Sequence, residues 1–153
     1  MSDILFKQFE QVRSWTIEVI KSIPEDIVHI TPRGFSNNIL WQIGHILSST
    51  EYFLFELPEK NNHLPDNYVE LFGTGTSPEQ WKQRVPTVAQ LITDLERQSD
   101  HIKQMSNNQM NQTIAKPKHG FQTVEDCASF SVLHEALHIG KIEEMKRILT
   151  CLE

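Results

Sequence analysis

Two histidines near the carboxyl end of the chain, His134 and His138, have the spacing of a metal-binding pair. They belong to a run in which mostly apolar residues recur at steps of three and four, the repeat of one helix face. Residues four apart lie one above the other on such a face, so the two imidazoles can hold one ion. Burying them without a partner would be costly. The run is Cys127, Ser131, His134, His138, Ile142, Met145, Leu149 and Leu152.

A third histidine, His45, lies on the flank of another apolar helical segment. Gly44 beside it has no side chain and would let a neighbouring helix or a ligand come close. If the two segments are neighbours, His45 can join the pair, and three histidines plus water form the ligand set of an open, catalytic type of metal site. On spacing alone, an ordinary histidine is the commoner interpretation. Trp41 and Tyr52 are candidates to line a pocket beside His45, although core packing accounts for them equally well.

The stretch from His134 to His138 also matches the HExxH pattern of zinc peptidases, in which the glutamate acts as general base. Glu135 is therefore a candidate base, but it points about 100° away from His134 around the helix. An exposed surface glutamate is the commoner outcome for such a position. Lys141 and Glu144 stand where the metzincin extension needs a glycine and a histidine, which weakens the peptidase interpretation.

The other histidines give a weaker signal. They fall in predicted loops or on predicted polar faces, so we expect ordinary surface residues. They are His29, His63, His101 and His119.

Composition narrows the classes of partner. The 153 residues include 14 Lys and Arg against 20 Asp and Glu, a net charge of −6, which argues against binding to nucleic acid or an anionic membrane. No apolar run approaches the roughly 20 residues of a membrane span. The acidic start does not resemble a secretory signal. Cys127 and Cys151 are too few and too far apart for a disulfide scaffold, so a reducing cytoplasm is the expected compartment.

Four long segments with helical periodicity must position the candidate ligands. They are predicted over residues 2–23, 36–56, 87–105 and 123–149. Ser36 is the expected N-cap of the second helix and Thr123 that of the fourth, with Asp126 completing a capping box. Pro58 is expected to end the second helix.

The predicted connections suggest how the helices are arranged. Residues 106–122 are predicted to be a loop, and 57–85 to be irregular apart from a short helix over 78–84 that Ser77-Pro-Glu-Gln favours. A connection of roughly 28 residues far exceeds the ~2–8 that antiparallel neighbours need. We therefore predict one all-α domain over residues 1–153, a four-helix bundle of up-down-down-up order. An up-down bundle with one decorated loop is the alternative.

Two segments resemble the DinB-like (damage-inducible) superfamily of bacterial proteins, which includes the YfiT-like metal-dependent hydrolases. One is Asn37-Asn-Ile-Leu-Trp-Gln-Ile-Gly-His-Ile, and the other is His134-Glu-Ala-Leu-His-Ile-Gly-Lys-Ile142. The resemblance implies the same bundle, often as a homodimer. It also implies one divalent metal ion bound by His45, His134 and His138. Lys141 replaces the glutamine common in the family.

The resemblance also implies chemistry on small molecules. Some relatives use a low-molecular-weight thiol, such as mycothiol or bacillithiol, for S-transfer or isomerisation, and others are assigned as hydrolases. A three-histidine site leaves positions for water or a thiol, whose pKa the ion lowers. Histidine ligation suits Zn, Ni, Cu and Fe alike. The alternative is a non-catalytic protein, in which the metal stabilises the bundle or the chain is an interaction module. Despite the family's name, we expect no DNA binding.

Overall fold

Four long helices occur where the periodicity predicts them. A computed structural model describes residues 2–56, 61–118 and 120–151, and about two thirds of these residues are helical. The long helices are α1 (Asp3–Lys21), α2 (Ile39–Glu51), α4 (Val88–Lys103) and α6 (Val124–Thr150). Shorter elements are α3 (Tyr68–Phe72), α5 (Asn107–Met110), β1 (Thr113–Lys118) and β2 (Phe121–Thr123). Single 3-10 turns lie at Glu25–Ile27 and Pro78–Gln80, and a π-helical segment, Tyr52–Glu56, continues α2.

Side-chain caps fix where the two ligand-bearing helices begin. The prediction of Ser36 as the N-cap of α2 is wrong, because Asn38 accepts the Trp41 amide at 2.9 Å and the helix begins at residue 39. The capping box at α6 is confirmed. Thr123 Oγ1 accepts the Asp126 amide at 3.1 Å, and Asp126 Oδ2 accepts the Thr123 amide at 2.9 Å. These contacts satisfy backbone amides of the first turn and so define where both helices begin.

The connections contain more structure than predicted. Residues 106–122 are not a plain loop, because α5 and an antiparallel hairpin of β1 and β2 lie there. The hairpin turns beside Gly120, whose φ of 87° suits a residue without a side chain. The short helix predicted over 78–84 is one turn at Pro78–Gln80, because Trp81 becomes extended and its Nε1 donates to Leu71 O at 2.9 Å. The predicted stop at Pro58 lies outside the described residues.

The predicted apolar faces form the core. Helix α2 is buried on nearly every side, including Ile39, Ile43, Ile46 and Leu47. One core cluster joins α2 to α3, α4 and the end of α6, and a second lies at the opposite end, around Phe9 and the π segment. No helix among the described residues has the length and apolarity needed to cross a bilayer. Because α2 is buried on nearly every side, the helix that carries His45 is the most enclosed of the four long helices.

Contacts between helices follow a consistent order. Where α1 contacts α6, the residue numbers of the contacting pairs rise together along both helices. Where α2 and the π segment contact α6, the residue numbers rise along one element as they fall along the other. Helix α1 also meets α4 in reverse order. The contacting pairs are Ser2 with Glu125, Arg13 with Glu135 and Ser22 with Lys146, then Gln42 with His138 and Phe53 with Phe130, and finally Glu10 with Lys103 and Arg13 with Leu95.

Candidate metal centre

His45 is held in one orientation from two sides. Its Nδ1 donates to the carbonyl oxygen of Phe72 at 2.7 Å, and its ring stacks on Trp41 with centroids 4.5 Å apart and planes 11° apart. Gly44 allows the approach of Phe72, since a methyl group at position 44 would collide with the Phe72 ring. With the proton on Nδ1, His45 Nε2 carries the lone pair. Ser49 Oγ contacts this nitrogen at 3.3 Å, a bond to a neutral hydroxyl that a metal ion would displace.

His134 and His138 lie one turn apart on α6 and face His45. Their Nε2 atoms are 3.1 Å apart, and the ring centroids of His45 lie 5.2 Å from His134 and 4.8 Å from His138. His138 Nδ1 donates to the side-chain oxygen of Gln42. A neutral His138 with its proton on Nδ1 therefore directs the lone pair of Nε2 toward His134.

This arrangement fits a divalent transition-metal ion. The three candidate ligand atoms all lie within 4.8 Å of one another. Two nitrogens each ~2.05 Å from a tetrahedral ion would be about 3.3 Å apart, close to the spacing of the His134 and His138 Nε2 atoms. An oxygen acceptor at Nδ1 is the usual support of a metal-binding histidine, and both His45 and His138 have one. Among the described residues, no fourth protein ligand joins the group.

Burial keeps the three imidazoles neutral, which is the form that binds metal. Desolvation is the main cause that lowers the pKa of His134 to about 4 and that of His138 to about 3. The pKa of His45 is lowered by the same cause. The positive charge of Lys141 lowers all three further, so this exposed lysine acts on the site through its field.

A cavity of about 470 Å³ opens beside the three histidines. His134 forms part of its wall, and so does Tyr52, one of the two predicted pocket residues. Trp41 instead lies behind His45 and donates from Nε1 to Thr76 Oγ1 at 2.9 Å. Most of the surface that the wall exposes to the cavity is apolar. The described residues of the wall are Ser48, Ser49, Tyr52, Phe53, Glu56, Val69, Gly73, Thr74, Phe130 and His134.

Glu135 is not an exposed surface residue. It is fully buried, and its carboxylate accepts from Arg13 Nε at 2.9 Å and from Arg13 Nη2 at 3.0 Å. Thr16 Oγ1 donates to the same carboxylate at 2.6 Å. These hydrogen bonds to the Glu135 carboxylate hold α6 against α1. The HExxH peptidase geometry, in which the glutamate serves the metal-bound water, is not formed by these contacts.

The expectation that the other histidines are ordinary surface residues holds only in part. His29 is exposed, and His119 lies outside the described residues. His63 and His101 are half-buried, and their ring centroids are 4.3 Å apart. Cys127, as expected, is a buried thiol, and burial raises its pKa to about 11.

Sequence reasoning missed the residues that support the site. Gln42 lies three residues before His45 and therefore on the same helix face, a spacing that could have pointed to it. Arg13 lies beside the apolar stripe of α1 but is only 3% exposed, because Glu135 of α6 accepts its hydrogen bonds in the interior. The Phe72 carbonyl could not be inferred, since a backbone acceptor has no residue-type signal.

The comparisons with known proteins agree with this fold. The profile of the DinB superfamily matches residues 8–142. A comparison with curated proteins gives no match. The fold is similar to the crystal structure of a conserved protein from Enterococcus faecalis, with 14% sequence identity and a TM-score of 0.64 over 97% of each chain. Since the superfamily profile matches well over half of the sequence, this chain belongs to the DinB superfamily.

Proposed function

We propose that this chain is a metal-dependent enzyme that acts on small molecules, with His45, His134 and His138 as the metal ligands. The reaction we favour is thiol-dependent S-transfer, and hydrolysis is the alternative. The observation that supports this proposal most directly is that His134 belongs both to the three-histidine cluster and to the wall of the 470 Å³ cavity. A substrate in that cavity would lie next to the open side of the metal centre.

The absence of a fourth ligand among the described residues favours catalysis over a purely structural ion. When bound at such a site, a divalent ion supplies Lewis acidity and lowers the pKa of water or a thiol. The chain supplies the orientation of the three imidazoles. It also supplies a cavity whose apolar wall, with Phe53 and Phe130, suits an apolar electrophile.

Glu56 is our candidate acceptor for a substrate proton. It lies on the cavity wall, and burial together with the negative charge of Glu51 raises its pKa. A carboxylate whose pKa moves toward neutrality is a better general base than an ordinary surface carboxylate. Glu135, the base considered from the sequence, is instead engaged by Arg13 and Thr16.

We propose the up-down-down-up bundle as the arrangement of α1, α2, α4 and α6. The parallel order of contacts between α1 and α6 supports it, as do the reversed orders of α2 with α6 and of α1 with α4. A homodimer is also proposed, on the family resemblance. Leu133 and Leu137, 58% and 60% exposed one turn apart on α6, support it as apolar surface. Analytical ultracentrifugation is the test, and a monomer at all concentrations contradicts it.

The test of the function uses metal-loaded protein with a small thiol and chlorodinitrobenzene. In S-transfer a carbon–sulfur bond forms and the carbon–chlorine bond breaks, while chloride leaves and a base takes the thiol proton. We expect conjugation that needs both the thiol and the metal. A parallel assay replaces the electrophile with a nitrophenyl ester and omits the thiol. Turnover there alone would favour hydrolysis.

Two variants at one cavity position serve as matched controls. Val69 lies on the cavity wall at 51% exposure and is not a candidate ligand. Val69→Trp should lower turnover by filling the cavity while leaving the metal content unchanged, whereas Val69→Ala should retain turnover. Fully metal-loaded protein that is inactive with several thiols and with the ester would contradict the enzyme proposal and favour a structural metal.

A further inference from the structure

A second cavity, of about 240 Å³, lies away from the metal centre and has its own pair of histidines. His63 and His101 both line it. The described residues of its wall include none of those that line the cavity beside His134. Any ligand here would therefore occupy a separate site.

His63 is held by a buried carboxylate. Glu51 is 1% exposed, and its Oε1 accepts from His63 Nδ1 at 2.8 Å and from the His63 amide at 2.7 Å. With the proton on Nδ1, Nε2 of the neutral ring carries the lone pair. It accepts a hydrogen bond from Asn61 Nδ2 at 3.3 Å, a bond to a neutral donor that a metal ion would displace. The proposed ligands His45 and His138 have the same arrangement, with an oxygen acceptor at Nδ1. A carboxylate in that position is a common support for a metal-binding histidine.

The two rings of this pair are placed much as those of the pair on α6. His63 and His101 have centroids 4.3 Å apart and planes 47° apart, against 4.4 Å and 54° for His134 and His138. In addition, Nδ1 of His101 is buried and has no hydrogen-bond partner among the described residues. His101 also lines the cavity, and a buried polar atom without a partner calls for an explanation such as a water or an ion.

The surrounding charge favours a cation. Glu51 also accepts from Gln98 Nε2 at 2.7 Å, but that donor is neutral. The nearby buried cation, Arg13, is already paired with Glu135. The charge of Glu51 further raises the pKa of Glu56, so the negative potential extends to its neighbours. Among the described residues lining the cavity there is no lysine or arginine.

We propose that His63 and His101 form a second metal site, for a transition-metal ion that prefers imidazole, such as Zn²⁺ or Cu²⁺. Glu51 orients His63 and offsets the charge of the ion. Gln104 lines the same cavity and carries an amide oxygen that suits a remaining position, and Asn61 would offer its own oxygen once its amide turns away from His63 Nε2. Because the described residues offer a three-ligand group only at His45, His134 and His138, the second site should bind roughly tenfold or more weakly than the first.

The test is a calorimetric titration of the metal-free full chain with Zn²⁺. We expect two classes of site of unequal affinity. His63→Gln/His101→Gln should lose the weaker class and keep the tighter one, and His134→Gln/His138→Gln should do the reverse. A wild type with a single class, or a weaker class that persists in the His63/His101 variant, overturns the proposal. If only the prediction for the tighter class fails, the result counts against the proposed function and not against the second site.

A second measurement needs no variant. Diethyl pyrocarbonate modifies accessible imidazole nitrogens, and peptide mass spectrometry identifies the modified histidines. In the wild type we expect protection of His63 and His101 by the second equivalent of Zn²⁺, while exposed His29 stays reactive. Unchanged modification of His63 and His101 at saturating Zn²⁺ overturns the proposal, even if the double variant does not fold.

Discussion

Gln42 accepts a hydrogen bond from Nδ1 of His138, and this contact leaves His138 Nε2 facing His134 at 3.1 Å from its Nε2. Gln42 is itself fixed by a bond from Nε2 to Asn37 Oδ1 at 2.5 Å. We predict that Gln42→Ala weakens metal binding by about 10–100-fold, since supports of this kind are worth that much. Calorimetric titration with Zn²⁺ measures it. Gln42→Glu, which keeps an acceptor oxygen, should bind nearly as tightly as wild type. Equal affinity in all three proteins would show that the contact does not orient His138.

The packing of Phe72 on Gly44 supports His45 in the same way. A side chain at position 44 would displace the Phe72 ring, and the carbonyl that holds His45 belongs to that residue. We predict that Gly44→Ala lowers the free energy of unfolding by about 1–3 kcal/mol, the usual range for overpacking. It should also weaken metal binding. Urea denaturation and metal titration test the two effects.

Gly140 provides the matched control for that substitution. It lies in the interior of α6, and an added methyl group there would meet nothing within 4 Å. Gly140→Ala should therefore be neutral or stabilising by about 0.5–1 kcal/mol, because alanine favours the helix. Equal destabilisation by both substitutions would mean that the Phe72 contact is not the cause.

The Arg13–Glu135 pair is predicted to be structural. Both side chains are nearly inaccessible, at 4% and 0% exposure, so Glu135→Gln leaves a buried guanidinium without its counter-charge. We expect a loss of about 3–5 kcal/mol in unfolding free energy, with the metal stoichiometry unchanged. Arg13→Met/Glu135→Leu should recover part of the loss. Exposed Glu143→Gln is the control, expected within about 0.5 kcal/mol of wild type. A stable Glu135→Gln protein that is inactive would instead indicate a catalytic base.

The stability of the metal-free protein should fall in mild acid. The pKa of His134 drops from 6.5 to about 4, and that of His138 to about 3, mainly through burial. Below pH 6.5 the unfolded chain thus binds protons that the folded protein does not. The stability that these neutral imidazoles contribute is fully present above pH 6.5. It is lost as the pH falls toward 4, by at most about 1.4 kcal/mol per pH unit for each histidine.

Chemical denaturation in a chelator at neutral pH and at about pH 5 measures this effect. Other groups titrate in the same range, so the comparison is with His134→Gln/His138→Gln. That variant should show a shallower decline than wild type. The same pH dependence in both proteins would show that these histidines are not the source.

The sequence was most informative where one helix face carries the signal. The stripe through Cys127, His134 and His138 indicated which side of α6 turns inward, and residues four apart had to be neighbours. The position of His45 could not be predicted from its own helix face, because its convergence with α6 depends on how the helices pack. The hairpin at residues 113–123 was missed because β2 has only three residues, too few for alternation to show. Glu135 was misplaced because its burial depends on Arg13 of another helix.

The most direct test of the central claim is a titration of metal-free protein with Zn²⁺ that compares wild type with His134→Ala/His138→Ala. Circular dichroism confirms that the variant is folded. The account predicts about one tightly bound equivalent in wild type, its loss in the double variant, and a strong weakening in His45→Ala. A folded double variant that retains the tight equivalent at wild-type affinity would contradict the three-histidine metal centre.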